Sequence, residues 1–231
     1  MSSLSEFLRS KKSAYAVIFL AIFHLIGVIG FHLEALKPLF STLVPLNMLL
    51  SVAVLGLFHR DWTGKFAFTL FLMYLISFLV EVFGVNTGLL FGNYTYYAPL
   101  GWQLWSTPLI IGINWVIPAY CAYVALQPFV FTRWWHITLS AACMVVLDIL
   151  IEPVAMRFHW WMWFYDAEKT QPYELLRAPV ENYAAWFVIG FIIIYLLDKL
   201  RQRRTNPIAA PLLLIQFVFF GICLVLAMAG Q

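Results

Sequence analysis

Long apolar runs alternate along the chain with short polar and basic segments, and seven runs approach the roughly 20 helical residues that cross a bilayer core. They predict helices over 13–31, 40–58, 66–83, 107–126, 134–154, 179–197 and 208–229. Pro179 suits the first turn of the sixth, where its missing N–H would have no intrahelical partner anyway. Two connections, 84–106 and 155–178, are long and dense in Trp, Tyr, Phe and Gly, a make-up that fits interfacial lids better than solvated linkers. No fixed-period repeat, low-complexity tract or domain boundary interrupts the pattern. The expectation is one integral membrane domain over 1–231, an all-α polytopic bundle of about seven transmembrane helices.

Composition agrees: 63% of the 231 residues are hydrophobic and 11% charged, outside the balance of a soluble globule. The net charge of +3 is carried in short basic clusters between apolar runs, which read as topology determinants, so no nucleic-acid partner is expected. With the N-terminus inside, the inner segments hold Arg9, Lys11, Lys12, Arg60, Lys65, Arg133, Lys199, Arg201, Arg203 and Arg204. The outer segments hold only Lys37, Arg157, Lys169 and Arg177. This asymmetry predicts N-inside, C-outside and an odd number of spans. The first apolar run has no convincing small-residue cleavage site and is read as a retained span, not a signal peptide. Cys121, Cys143 and Cys223 lie within apolar runs without CxxC spacing, so neither a disulfide framework nor a zinc site is expected. His24, His32, His59, His136 and His159 do not form the histidine boxes of membrane di-iron enzymes, and no metal is expected. The last span has no lysine for a retinal Schiff base.

Carboxylates near hydrocarbon are costly, which makes them functional suspects. On the predicted topology Glu81 ends the third span, Asn114 lies about two turns into the fourth, Asp148 and Glu152 end the fifth, and Glu181 and Asn182 open the sixth. All fall toward the outer face. Asp148 and Glu152 are four apart, share a helix face and together hold a proton readily. They could instead be helix-end residues that reach water. The helix dipole biases Glu81, Asp148 and Glu152 toward the neutral acid and Glu181 toward the anion, although Glu181 also suits plain stabilisation of a first turn. A protonated donor beside an acceptor is what acid/base chemistry requires. Tyr94, Tyr96, Tyr97, Trp102, Trp105, Trp115, Trp160, Trp161, Trp163, Phe164 and Tyr165 crowd the same side. Most read as interfacial belt, and a few as pocket lining whose ring faces would stabilise a cation.

Glu81-Val-Phe-Gly84 through Thr87-Gly88, Phe91-Gly92-Asn93-Tyr94-Thr95-Tyr96, Leu100-Gly101, Pro108-Leu-Ile-Ile and Asn114-Trp115 together resemble a carotenoid biosynthesis membrane protein, most closely the CruF-type carotenoid 1,2-hydratase family. Asp148, Glu152-Pro153, Trp160-Trp161-Met162-Trp163, and Pro179-Val-Glu181-Asn182-Tyr183 with Trp186 extend the resemblance through the sixth span. It covers a little under half of the chain. The resemblance implies addition of water across the terminal C1=C2 bond of an acyclic carotenoid, in a cell (inner) membrane, without a cofactor. Related heterodimeric-type lycopene cyclases carry two adjacent glutamates where this chain has Glu181-Asn182, which leans toward the hydratase. Glu152 stands where the family usually has aspartate, a departure that leaves carboxylate chemistry intact.

The expected mechanism has Asp148 or Glu152 as proton donor and Glu81 as partner or alternate donor. Glu181 and Asn182 orient the attacking water, with Asn114 contributing a hydrogen bond. Tyr94, Tyr96, Trp115, Trp161 and Trp163 are the expected substrate-binding rings. The partners are then the carotenoid, water and membrane lipid. Cyclisation of the same cation, or a non-catalytic lipid-binding or transport role, remain open at this level, as does the oligomeric state.

Overall fold

The computed structural model describes residues 2–130, 132–164, 178–200 and 205–229. Tyr165, Lys169, Arg177, Arg201, Arg203 and Arg204 lie outside the described residues. Among the described residues there are eight α-helices: α1 Ser2–His32, α2 Lys37–Thr42, α3 Val44–Phe58, α4 Gly64–Thr87, α5 Ile110–Leu126, α6 Arg133–Arg157, α7 Val180–Asp198 and α8 Ala209–Ala229. Five segments, Ser10–His32 within α1, α4, α6, α7 and Ala209–Met228 within α8, are long and apolar enough to cross a membrane. Helices α3 and α5 are apolar but shorter, with 15 and 17 residues. At 1.5 Å per residue they reach only about 22–26 Å against a core of about 30 Å.

Those two shortfalls have local causes. The predicted span 40–58 breaks after Thr42, where Leu43 caps α2 and also precedes α3, with Pro45 at the first turn of α3. The predicted start at Thr107 moves to Ile110 because Thr107–Pro108 (β3) is a short strand paired with Gln103–Leu104 (β2). With the broken pair α2–α3 counted as one crossing, successive helices still alternate in direction. Phe31 at the end of α1 meets Phe158 and Trp160 just beyond α6, whereas Phe66 at the start of α4 meets Tyr120 near the end of α5.

Many large apolar side chains face outward: Ile18, Ile22, Leu25 and Ile29 on α1, Phe68 and Phe71 on α4, Val188 and Ile192 on α7, Leu214, Val218 and Val225 on α8. A surface this apolar needs hydrocarbon as its solvent, so the chain forms a multi-pass membrane bundle.

The end of the bundle where α4 and α6 stop is closed by a feature that the all-helical expectation lacks. Strand β1, Asn93–Tyr96, comes from one long connection and β4, Trp161–Phe164, from the other, and they pair antiparallel. Both strands are led in by left-handed turns. Gly88 ends α4 at φ 68°, and its N–H donates to the Gly84 carbonyl. After α6, His159 sits at φ 55° while Trp160 N–H donates to Ala155 O at 2.9 Å and His159 N–H to Met156 O at 3.2 Å. This is a Schellman stop with histidine where glycine is usual. It turns the chain back over the helix it has just left.

Candidate active site

The β1–β4 register sets Tyr94 opposite Trp163 and Tyr96 opposite Trp161. Opposed residues of an antiparallel pair share a face, and side chains alternate along each strand, so all four rings point the same way. They point at the carboxyl groups of α4 and α6. Tyr94 Oη–H donates to Glu81 Oε2 at 2.6 Å and Tyr96 Oη–H at 2.7 Å, while Trp115 Nε1–H from α5 donates to Glu81 Oε1 at 2.8 Å. Trp163 and Trp161 donate their indole N–H groups to Glu152 Oε2 at 2.6 and 3.0 Å.

Asn182 joins the cluster from the first turn of α7. Its Nδ2 donates to Asp148 Oδ2 at 2.9 Å and makes a longer contact, 3.4 Å, with Glu152 Oε1. Asp148, Glu152 and Glu81 are 0%, 2% and 4% exposed, and Asp148 Oδ1 has no partner among the described residues. Among the described residues the two ion pairs, Lys37–Glu34 and Arg133–Asp198, do not touch this cluster. Burial, reinforced by the neighbouring Glu81 carboxylate, pushes the Tyr94 and Tyr96 phenols well above the usual tyrosine range, so they act as O–H donors.

Two spaces adjoin the cluster. A cavity of about 20 Å³ lies between Glu81, Glu152, Asn182 and Asn114, under the rings of Tyr94, Trp161, Trp163 and Trp186. It has room for one water and polar groups to bond it. A larger, mostly apolar groove of about 270 Å³ runs between α1, α3, α5, α6 and α8. Ile111, Asn114 and Trp161 line both spaces, so the groove and the cavity lie side by side with these side chains as their common wall. Pro118, which also lines the groove, has no N–H to give to the Asn114 carbonyl four residues earlier.

Glu81, Asp148, Glu152, Asn182, Trp115, Tyr94, Tyr96, Trp161 and Trp163 thus meet in one bonded cluster, and Asn114 borders it. Glu181 does not join them: it is exposed, while Asn182 beside it is buried. Successive helix positions differ by about 100°, so only one of the two can face the bundle. Asp148 is buried behind the cavity and does not line it. Trp102 and Trp105 are 88% and 61% exposed, as belt residues would be. Trp186, which the sequence reading used only as a motif residue, lines the cavity and stacks on Trp115 at 3.9 Å between centroids and 17° between planes. Its signal was its place four residues after Asn182, one turn along the same face.

A family model described as carotenoid biosynthesis protein matches residues 43–231. The chain belongs to the carotenoid biosynthesis protein family. No curated protein and no solved structure matches the chain. In this carotenoid biosynthesis protein every side chain of the bonded cluster lies within the matched stretch, whereas α1, which supplies one wall of the groove, precedes it. Membership assigns a role in carotenoid biosynthesis, with a carotenoid as substrate in a membrane setting.

Proposed function

We propose that the protein is a cofactor-independent hydratase that adds water to the terminal C1=C2 bond of an acyclic carotenoid. The observation that carries this reading is an apolar groove lying beside a water-sized polar cavity walled by two buried carboxyl groups. The groove accepts the end of a polyene whose length is comparable to the roughly 30 Å of hydrocarbon around the bundle. The cavity supplies what a cyclase site would exclude, room for a water beside the reacting carbon.

Asp148 and Glu152, one helical turn apart and away from any cation among the described residues, hold a proton between them. Glu152 borders the cavity and delivers that proton to C2, which leaves a tertiary cation at C1. The Glu81 carboxylate, fixed by three donors, and the faces of the surrounding tryptophans stabilise the cation. Water held by Asn182 and Asn114 attacks C1, and its extra proton returns to Glu152. The sum is alkene plus water giving tertiary alcohol, with no electrons transferred. The charge asymmetry of the loops supports a position for this end of the bundle at the outer face of the cell membrane.

Expression in lycopene-accumulating cells tests the proposal. Pigments separated by liquid chromatography with mass detection should contain a product heavier by one water, and the Glu152→Gln variant should leave lycopene unconverted. An isomer of unchanged mass with a shortened chromophore would replace the hydratase with a cyclase.

A further inference from the structure

Besides Asn114, which also borders the cavity, the groove carries few polar side chains. His24 on α1, Asn47 on α3 and Gln216 on α8 line it among Phe, Leu and Met side chains, and Trp160 forms part of its wall. His24 Nδ1 lies 2.8 Å from the Leu20 carbonyl, an acceptor, so this nitrogen carries the proton and Nε2 presents a lone pair. Asn47 Nδ2 donates to that lone pair at 3.4 Å. The Asn47 amide is thereby oriented, with Oδ1 on the other side. Among the described residues, three buried polar atoms of this lining then lack partners: Asn47 Oδ1, Gln216 Oε1 and Trp160 Nε1. Trp160 is 4% exposed and meets Phe220, one turn beyond Gln216, edge-on at 6.4 Å.

Two acceptors and one donor in an apolar wall form the complement of an alcohol, which donates one hydrogen bond and accepts others. A pure hydrocarbon would cover all three and leave them unsatisfied, at a cost for each. We propose that the groove is a binding site for a hydroxyl-bearing polyene, whose O–H donates to Asn47 or Gln216 and accepts from the Trp160 indole. The polyene part of this assignment rests on the function proposed above; the alcohol part rests on the three unpartnered atoms alone. Trp161, next in the chain, donates to Glu152, so the subsite lies close to the reacting end of the ligand.

Binding without turnover tests this. Quenching of tryptophan fluorescence in the Glu152→Gln protein, reconstituted in lipid nanodiscs, would be titrated with three probes. These are lycopene, lycopene hydrated at one end to the tertiary alcohol, and a polyene hydrocarbon of similar length carrying a primary hydroxyl. The expected result is about tenfold or more tighter binding of an alcohol than of lycopene, the size of effect that a hydrogen-bonding site shows against an analogue lacking the group. Preference for the tertiary alcohol alone assigns the subsite to the hydrated end, and preference for both alcohols to hydroxylated chains in general. Asn47→Leu, Gln216→Leu and Trp160→Phe should each narrow the gap while leaving lycopene binding unchanged. Equal affinity for all three probes in the parent protein, or an unaltered gap in all three variants, would overturn the assignment. Binding of none of the probes would instead count against the groove as a polyene site.

Discussion

Replacing Glu81 with glutamine separates the charge of this residue from its hydrogen bonds. Glu81 Oε2 receives two hydroxyls, from Tyr94 and Tyr96, and Oε1 receives the Trp115 indole. An indole N–H can only donate, but a tyrosine hydroxyl can rotate and accept. In Glu81→Gln the carbonyl oxygen can therefore take the Trp115 side, and the amide nitrogen can give its two hydrogens to the two tyrosines. Each of the three contacts then still pairs a donor with an acceptor, three charge-assisted bonds become neutral ones, and the two phenol hydrogens turn away from residue 81. The buried charge that they compensated disappears with them, so stability should change by about 1 kcal/mol or less. Activity should fall far more. Removing a preorganised group that stabilises transition-state charge typically costs about 10²–10³-fold in rate, or about 2.7–4 kcal/mol. Glu81→Ala, by contrast, strands two buried donors, Tyr94 and Trp115, at about 1–3 kcal/mol each and a half-buried one, Tyr96, and should lower the thermal midpoint sharply. The assay pairs thermal unfolding of the purified protein with product formation by chromatography. Glu81→Gln with unimpaired turnover would refute the electrostatic role, and Glu81→Gln as unstable as Glu81→Ala would refute the bonding argument.

Three further predictions follow from the same geometry. Asn182→Leu keeps the side-chain size but removes the Nδ2 donor to Asp148 and one of the cavity's polar groups, and water capture should drop by at least about tenfold, measured as hydrated product per unit of protein. Gly84→Ala places a methyl group against the Phe91 ring and 3.1 Å from the Tyr94 hydroxyl. It should cost about 1–3 kcal/mol of stability and dislodge Tyr94 from Glu81, seen as lost turnover with helical circular dichroism retained. At alkaline pH the unfolded chain loses its tyrosine protons near pH 10, whereas the raised phenols of Tyr94 and Tyr96 keep theirs in the folded protein. The folded state then binds more protons, so their contribution is complete below about pH 10 and is lost as pH rises toward the folded values. The thermal midpoint should decline over that range, and less so in the Tyr94→Phe/Tyr96→Phe double variant.

Hydropathy alone was enough to read the bundle, because lipid-facing and core-facing positions are both apolar and every crossing needs nearly the same length. The cluster was legible for a related reason. Alternating helix direction brings the end of α4, the start of α5, the end of α6 and the start of α7 to one level, and polar residues at those ends had to meet or face lipid. What stayed hidden was the tie between Asn93–Tyr96 and Trp161–Phe164, a strand pairing across more than sixty residues whose only local trace is aromatic alternation. Without it nothing distinguishes Trp161 and Trp163, bonded to Glu152, from the exposed Trp102 and Trp105. The choice between Glu181 and Asn182 was equally local, a matter of which way the first turn of α7 faces. Asn47 and Gln216 did carry a readable signal, a lone amide within an apolar run, the criterion that singled out Asn114.

The central claim is that water enters the product through the cavity beside Glu152. Purified protein in nanodiscs, given lycopene in heavy-oxygen water, measures this directly by mass spectrometry of the extracted pigment. The account predicts one labelled oxygen in the product as a tertiary alcohol, and none with Glu152→Gln. A cyclised, oxygen-free isomer, or labelled alcohol formed equally well by the Glu152→Gln variant, would contradict it.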